Sequence, residues 1–170
     1  MSETDPHVAV VMGSDSDLEV MRRCVRQLEA LGVACEVRIL SAHRTPGAVD
    51  EFAAAAAGRG VRVIVAAAGM SAALAGALAG RCTLPVIGVA MASGPLAGVD
   101  ALLSTVQMPP GVPVGCVGMG PAGAVNAAVY AAEILALSDA ALAERLARYK
   151  DEQARKTLRK DEELRERGGE

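Results

Sequence analysis

Aromatic side chains are nearly missing from this sequence: Phe52, Tyr130 and Tyr149 are the only ones, and there is no tryptophan. Such a chain has no platform on which bases could stack. Its net charge of −3 also gives no basic footprint for a phosphate backbone. No nucleic-acid partner is therefore expected. Lysine is almost as scarce. Lys150, Lys156 and Lys160 are the only three, all near the C-terminus, so none is placed for a Schiff base or a P-loop in the body of the chain. Histidine is scarcer still, with His7 ahead of the first strand pattern and His43 alone further in.

The four cysteines, Cys24, Cys35, Cys82 and Cys116, form no CxxC pair and fall inside apolar patterns. No secretory signal pattern precedes them, so they read as buried thiols in a reducing cytoplasm. Scattered thiols and one useful histidine make a poor metal site, and no metal is expected. No Gly-x-Ser-x-Gly elbow suggests a hydrolase triad. Charge is also missing from a whole stretch. Between residues 82 and 132 the one acid or base, cysteine and tyrosine aside, is Asp100. A surface of that composition would be insoluble, so the stretch belongs to core or to a subunit interface. Gly and Pro interrupt each apolar run before it reaches roughly 18 residues. The expectation is a homo-oligomer and no membrane.

What is present is a regular alternation over 170 residues, 52% of them apolar. Residues 7–12 read as a buried strand. Residues 16–31 read as a helix, with Leu18, Met21, Val25 and Leu28 on one face and Gly32 as its stop. Then follow a strand at 33–40, a helix at 46–57 ended by Gly58, and an apolar strand at 61–67. A small-residue helix at 71–79 leads to a strand at 85–90, a short helical turn at 100–105, a fifth strand at 113–117 and a helix at 122–137. Helices between the strands rule out hairpins. The expected fold class is α/β, a three-layer flavodoxin-like doubly wound parallel sheet with an extra C-terminal helix. Residues 1–138 would form this catalytic domain. Residues 139–170 are highly charged, with Glu144–Arg148, Asp151–Arg155 and Glu152–Lys156 at i,i+4 spacing. Leu142, Leu146, Tyr149 and Leu158 give that helix only a thin apolar stripe. It is either a solvated terminal helix or an arm that packs on a neighbouring subunit.

In doubly wound sheets ligands bind beyond the carboxyl ends of the strands. Three loops end there. The first, Gly13-Ser14-Asp15-Ser16-Asp17, reads as a helix cap with Ser16 and Glu19 at capping-box spacing, or as a phosphate and hydroxyl cradle in which Asp17 accepts from ribose hydroxyls. The second, Ser41-Ala42-His43-Arg44-Thr45-Pro46, offers Thr45 as N-cap and Pro46 at the first helical position. Those roles leave His43 and Arg44 unexplained. Imidazole moves protons near neutral pH, and guanidinium is a permanent cation for an anionic substrate. The third loop, from Gly69 to Gly76, has Ser71 as its only hydroxyl, and its glycines permit close backbone approach to a ligand. Ser41, Gly69 and Ser71 thus join the candidate substrate-binding residues.

Several motifs together carry a resemblance. Val10-Val11-Met12-Gly13-Ser14-Asp15-Ser16-Asp17, Ser41-Ala42-His43-Arg44-Thr45-Pro46, Pro85-Val86-Ile87-Gly88-Val89, Gly98-Val99-Asp100-Ala101-Leu102-Leu103-Ser104 and Val106-Gln107-Met108-Pro109 follow one another in order. Over residues 8–149 the chain resembles the 5-(carboxyamino)imidazole ribonucleotide mutase and phosphoribosylaminoimidazole carboxylase family of purine biosynthesis. The resemblance implies a flavodoxin-like subunit, a homo-octamer, and no metal or organic cofactor. Ser14 and Asp17 would bind the ribonucleotide, with Ser16 a further phosphate-side candidate. Arg44 would help hold the phosphate, and His43 would be the general acid–base. The implied reaction splits the substrate carbamate into aminoimidazole ribonucleotide and carbon dioxide, which the ring carbon then attacks. One motif departs. Ala73-Leu74-Ala75-Gly76 stands where the mutase branch usually carries His-Leu-Pro-Gly. Gly69-Met70-Ser71-Ala72-Ala73-Leu74 instead matches the Gly-x-Ser-x-x-Leu of the branch that carboxylates aminoimidazole ribonucleotide directly. Arg44 and Val106-Gln107-Met108-Pro109 side with the mutases. The implied activity is the mutase, with direct carboxylation, another carboxylation on the same fold, and a non-catalytic nucleotide-binding module as alternatives.

Overall fold

The structure, a computed structural model, describes residues 7–168. Strands and helices alternate in the order β1 (Val8–Met12), α1 (Leu18–Ala30), β2 (Cys35–Ile39), α2 (Pro46–Ala56), β3 (Val63–Gly69), α3 (Leu74–Ala79), β4 (Val86–Met91), α4 (Val99–Val106), β5 (Gly115–Met119), α5 (Gly120–Ala136) and α6 (Ala140–Glu166). The five strands are all parallel and lie in the order β2-β1-β3-β4-β5. That is the flavodoxin-like order, with its switch point between β1 and β3.

The period-2 geometry of a strand sorts the core into two layers. On one face Val8, Val10 and Met12 of β1 pack with Val63, Val65 and Ala67 of β3 under α1, α5 and α6. On the other, Ala9, Val11, Ile64 and Ala66 pack under α2 and α3. Both central strands are covered on both sides, which is why they read as unbroken apolar runs. The abundance of alanine has a packing reason. Ala124, Ala127, Ala128, Ala131 and Ala132 are fully buried on α5 among Met21, Cys24 and Leu28 of α1. Small side chains let such helices approach closely. Burial pushes the Cys24 thiol up to about 12, so it behaves as a small hydrophobe.

The expected elements are all present, with shifted ends. The first helix starts at Leu18, after a 3-10 turn over Asp15–Asp17. The helix expected to stop at Gly58 instead runs through a second 3-10 turn, Ala57–Arg59, to Gly60 at φ 95°. The third helix starts at Leu74 rather than Ser71, and the fifth strand lies two residues later than expected. Gly32 does end α1, at φ 69°, and Arg145 Nε of α6 donates to the Leu31 carbonyl at 2.8 Å. Asp139 caps α6 by accepting from the Leu142 N–H at 2.9 Å. Residues 1–6 and 169–170 of the two expected ranges lie outside the described residues. Of the three i,i+4 pairs expected on α6, Glu144–Arg148 closes to 3.9 Å and the other two form no ion pair, while Asp161 and Arg165 pair further along.

The turn from β5 into α5 depends on bare backbone. Gly118 sits at φ 134°, and a Cβ on Gly123 would overlap the Gly118 carbonyl. Because the obstacle is main chain, it cannot rotate away. Gly123→Ala is therefore expected to destabilise the fold by about 1–3 kcal/mol. A fall in the urea midpoint at constant m-value would register it, and an unchanged midpoint would contradict this account of the turn.

Candidate active site

Four loops meet above the carboxyl ends of β2, β1, β3 and β4. They enclose a cavity of about 540 Å³. Each candidate residue from the sequence lines it: Ser14, Ser16, Asp17, Ser41, His43, Arg44, Gly69 and Ser71. Gly13, Ala42, Ala68, Met70, Ala73, Leu74 and Ser93 complete the wall.

The first loop is shaped by Ser14, not by Ser16. Ser14 is extended (φ −151°, ψ 155°), and its Oγ accepts from the Ser16 N–H at 3.3 Å to start the 3-10 turn. The expected Ser16–Glu19 capping box does not form, because the turn shifts the start of the α-helix past Ser16. Freed from capping, the Ser16 hydroxyl donates to Asp17 Oδ1 at 3.4 Å. Asp17 is buried, and desolvation holds its carboxyl above the usual aspartate range, against the lowering effect of its hydrogen bonds to Ser16 and Ser14. A hydroxyl donor from a ligand would offset that penalty.

The second loop is a closed knot. Thr45 Oγ1 accepts from the Ser41 N–H at 3.0 Å and donates to the Ser41 carbonyl at 3.1 Å. Thr45 occupies the N-cap position, but its side chain makes no cap hydrogen bond to α2 because it is committed to Ser41. Ser41 Oγ accepts from the Arg44 N–H at 3.1 Å and from Arg44 Nε at 3.4 Å. Arg44 Nη2 donates across to the Gly13 carbonyl at 3.0 Å. Its remaining N–H groups stay available for an anion. His43 is exposed at the rim, and its ring makes no hydrogen bond among the described residues.

In the third loop Met70 adopts a left-handed conformation, φ 55°. Tight hydrogen bonds from Ala72 N–H to the Met70 carbonyl (2.9 Å) and from Ala73 N–H to the Ser71 carbonyl (2.6 Å) hold residues 70–73 out of the helix. This delayed helix start places Ser71 and Ala73 in the cavity wall. Sequence reasoning does not mark Ser93. Only the general rule that ligands sit beyond strand carboxyl ends points to the loop after β4, and nothing in the local sequence points to Ser93 itself.

The arrangement can bind a phosphorylated, hydroxyl-bearing ligand beside one imidazole. Known proteins sharpen that reading. The profile of the AIR carboxylase family matches residues 7–156. The chain belongs to that family. It is 53% identical over 139 residues to the N5-carboxyaminoimidazole ribonucleotide mutase of Brucella melitensis, covering 82% of this chain and 86% of that one. It is 46% identical to the same-named enzyme of Pyrococcus horikoshii, covering all of this chain and 95% of that one. Its fold superposes on the crystal structure of Treponema denticola PurE with a TM-score of 0.84 at 30% identity, over 94% and 98% of the two chains. The family match spans the whole sheet, the four cavity loops and the first part of α6.

The raised pKa of Asp17 has a direction that can be checked. A carboxyl with a folded pKa above its unfolded value leaves its charge unfavourable in the fold, so the stability it contributes is present at low pH and lost as pH rises through the folded pKa. Asp17→Asn keeps the shape and removes that charge. The variant is expected to unfold at higher urea than the wild type near pH 7, with the gap closing as pH falls toward about 4. A gap that is constant with pH would overturn the assignment to Asp17.

Proposed function

We propose that this chain converts 5-(carboxyamino)imidazole ribonucleotide to 4-carboxy-5-aminoimidazole ribonucleotide in purine biosynthesis. The observation that carries the reading is the meeting of His43, Arg44, Ser14 and Asp17 at one cavity, in a chain whose relatives carry the mutase name. Arg44 and Ser16 would take the phosphate, Ser14 and Asp17 the ribonucleotide, with Ser41, Gly69 and Ser71 in further contact. His43 would hand a proton to the departing nitrogen as its bond to the carboxyl carbon breaks. The ring carbon then attacks the carbon dioxide held beside it, and His43 takes back the proton that the ring carbon loses. The proton count closes on one group, as a site with a single imidazole requires. Direct carboxylation of aminoimidazole ribonucleotide is the second reading, favoured by Ala73 in the cavity wall.

The same reading makes the protein a homo-oligomer, an octamer, in the cytoplasm, where its four free thiols would stay reduced. Leu96, Val99, Leu103 and Val106 lie at helical spacing on α4 and its approach, each between 45% and 59% exposed. No charged residue interrupts this stripe except Asp100, whose inner carboxylate oxygen has no partner among the described residues. Apolar patches of this kind mark contact sites. Residues 151–160 of α6 are exposed on all sides. Isolated helices of that length are marginal, which supports packing of the arm on a neighbour.

A paired turnover assay decides between the two activities. The mutase reading expects conversion of the carbamate substrate and little carboxylation of aminoimidazole ribonucleotide by dissolved carbon dioxide; the reverse result would replace it with direct carboxylation. In the productive arm His43→Asn should lose about a hundredfold or more in turnover while nucleotide affinity stays. Survival of turnover would remove His43 as the acid–base.

The interface has its own test. Leu103→Glu places a charge in the apolar stripe and is expected to shift the protein to smaller species in analytical ultracentrifugation. An unchanged assembly would remove α4 from the interface.

A further inference from the structure

The loops after β3 and β4 are locked together. Gly69 pairs with Met91 in the β3–β4 register, so the chain leaves both strands side by side. The Ser93 N–H donates to the Met91 carbonyl at 2.9 Å and turns the loop back over the strand end. The hydroxyl of Ser93 then occupies the place where a side chain on Gly69 would be. A Cβ there would overlap Ser93 Oγ and lie 3.3 Å from Ser93 Cβ. One residue on, Met70 Cγ lies 3.4 Å from where a Cβ on Gly94 would stand. Met70 between them is left-handed, φ 55°, a conformation costly outside glycine.

This places a hydroxyl in an apolar wall. Ala68, Gly69, Met70, Ser71, Ala73 and Leu74 form the cavity surface supplied by β3 and the segment after it, apolar but for Ser71, and Ser93 faces the cavity among them. Its Oγ makes no hydrogen bond among the described residues. The charged and strongly polar groups come from the loops after β1 and β2.

We propose that Ser93 is a substrate-contacting residue whose hydroxyl donates to an oxygen of the migrating carboxyl group. This rests on the mutase reading above. When the nitrogen–carbon bond breaks, its electron pair stays on nitrogen, which takes the proton of His43, and neutral carbon dioxide is left against the apolar wall. When the ring carbon attacks, a carbon–carbon bond forms, negative charge collects on the carboxylate oxygens, and the ring proton passes to His43. A neutral donor fixed in that wall holds carbon dioxide in place and strengthens its bond as charge develops. Gly69 is the positioning residue, since its bare Cα leaves the hydroxyl its place.

The test compares full-length wild type, Ser93→Ala and Gly69→Ala, each checked for unchanged circular dichroism and assembly. Three quantities are read: kcat on the carbamate, affinity for aminoimidazole ribonucleotide by calorimetry, and the ratio of that ribonucleotide released to carboxylated product formed. Ser93→Ala is expected to lower kcat about tenfold to a hundredfold, leave affinity within about twofold, and raise the release ratio. Gly69→Ala, which keeps the hydroxyl but displaces it, is expected to move kcat and the release ratio the same way. A folded Ser93→Ala with wild-type kcat and release ratio overturns the proposal while the mutase reading stands. A wild type inert to the carbamate overturns that reading and this proposal with it.

Discussion

The peptide at Gly13 is the joint on which the cavity depends. Its N–H donates to the Ala67 carbonyl of β3 at 3.0 Å, and its carbonyl accepts from Arg44 Nη2 at 3.0 Å. Just before it, the Leu40 N–H beyond the end of β2 donates to the Met12 carbonyl at 2.9 Å. A single turn is thereby tied to the strands on both sides of β1. This is possible only because β1 has β2 on one side and β3 on the other, so that the chain diverges and a crevice opens between the loops. The Ser14–Asp17 turn, the loop of His43 and Arg44, and the apolar wall are all hung from that one point. Their mutual placement is a property of the sheet rather than of any loop alone.

The cavity is chemically divided by the same topology. Loops from β1 and β2 bring serines, a buried aspartate, an imidazole and a guanidinium. Those from β3 and β4 bring alanine, glycine, methionine, leucine and two serines. A phosphorylated nucleotide needs the first half, whereas a small uncharged intermediate needs the second, where water competes poorly. The rim is nonetheless exposed at His43, Arg44 and Met70. A pocket meant to retain carbon dioxide needs a cover, and the uncharged stripe on α4 gives an assembly somewhere to form. The proposed oligomer and the proposed chemistry thus bear on each other.

Much of this was legible in the sequence because it is local. The alternation of apolar runs and amphipathic segments specified the parallel sheet. The rule that ligands sit at strand carboxyl ends singled out His43 and Arg44, whose neighbours Thr45 and Pro46 have structural reasons of their own. What was not legible is set by competition or by distance in the chain. Ser14 rather than Ser16 takes the cap because a 3-10 turn intervenes. Thr45 spends its hydroxyl on Ser41, four residues back, and so has none for α2. Ser93 faces the cavity only because β4 lies beside β3 and Gly69 lacks a side chain, a condition spread over 24 positions in the chain. No periodicity or motif encodes that.

The third loop bears on how a site with one imidazole can run either reaction of the family. In the mutase reaction one proton is delivered to nitrogen and one is taken from carbon, so His43 as the proposed acid–base would end as it began and need no exchange with solvent. Direct carboxylation has no departing nitrogen to protonate, and His43 would have to pass each proton on to water. An exposed imidazole with no hydrogen-bond partner among the described residues can serve either, since no bond there fixes its orientation and solvent reaches it. Proton chemistry therefore does not separate the two activities here. Retention of carbon dioxide does, because only the mutase must trap a molecule that it has itself released. That demand would fall on the wall formed by Ala68, Gly69, Met70, Ala73 and Leu74, and on the proposed contact from Ser93, rather than on a second titratable group at position 73.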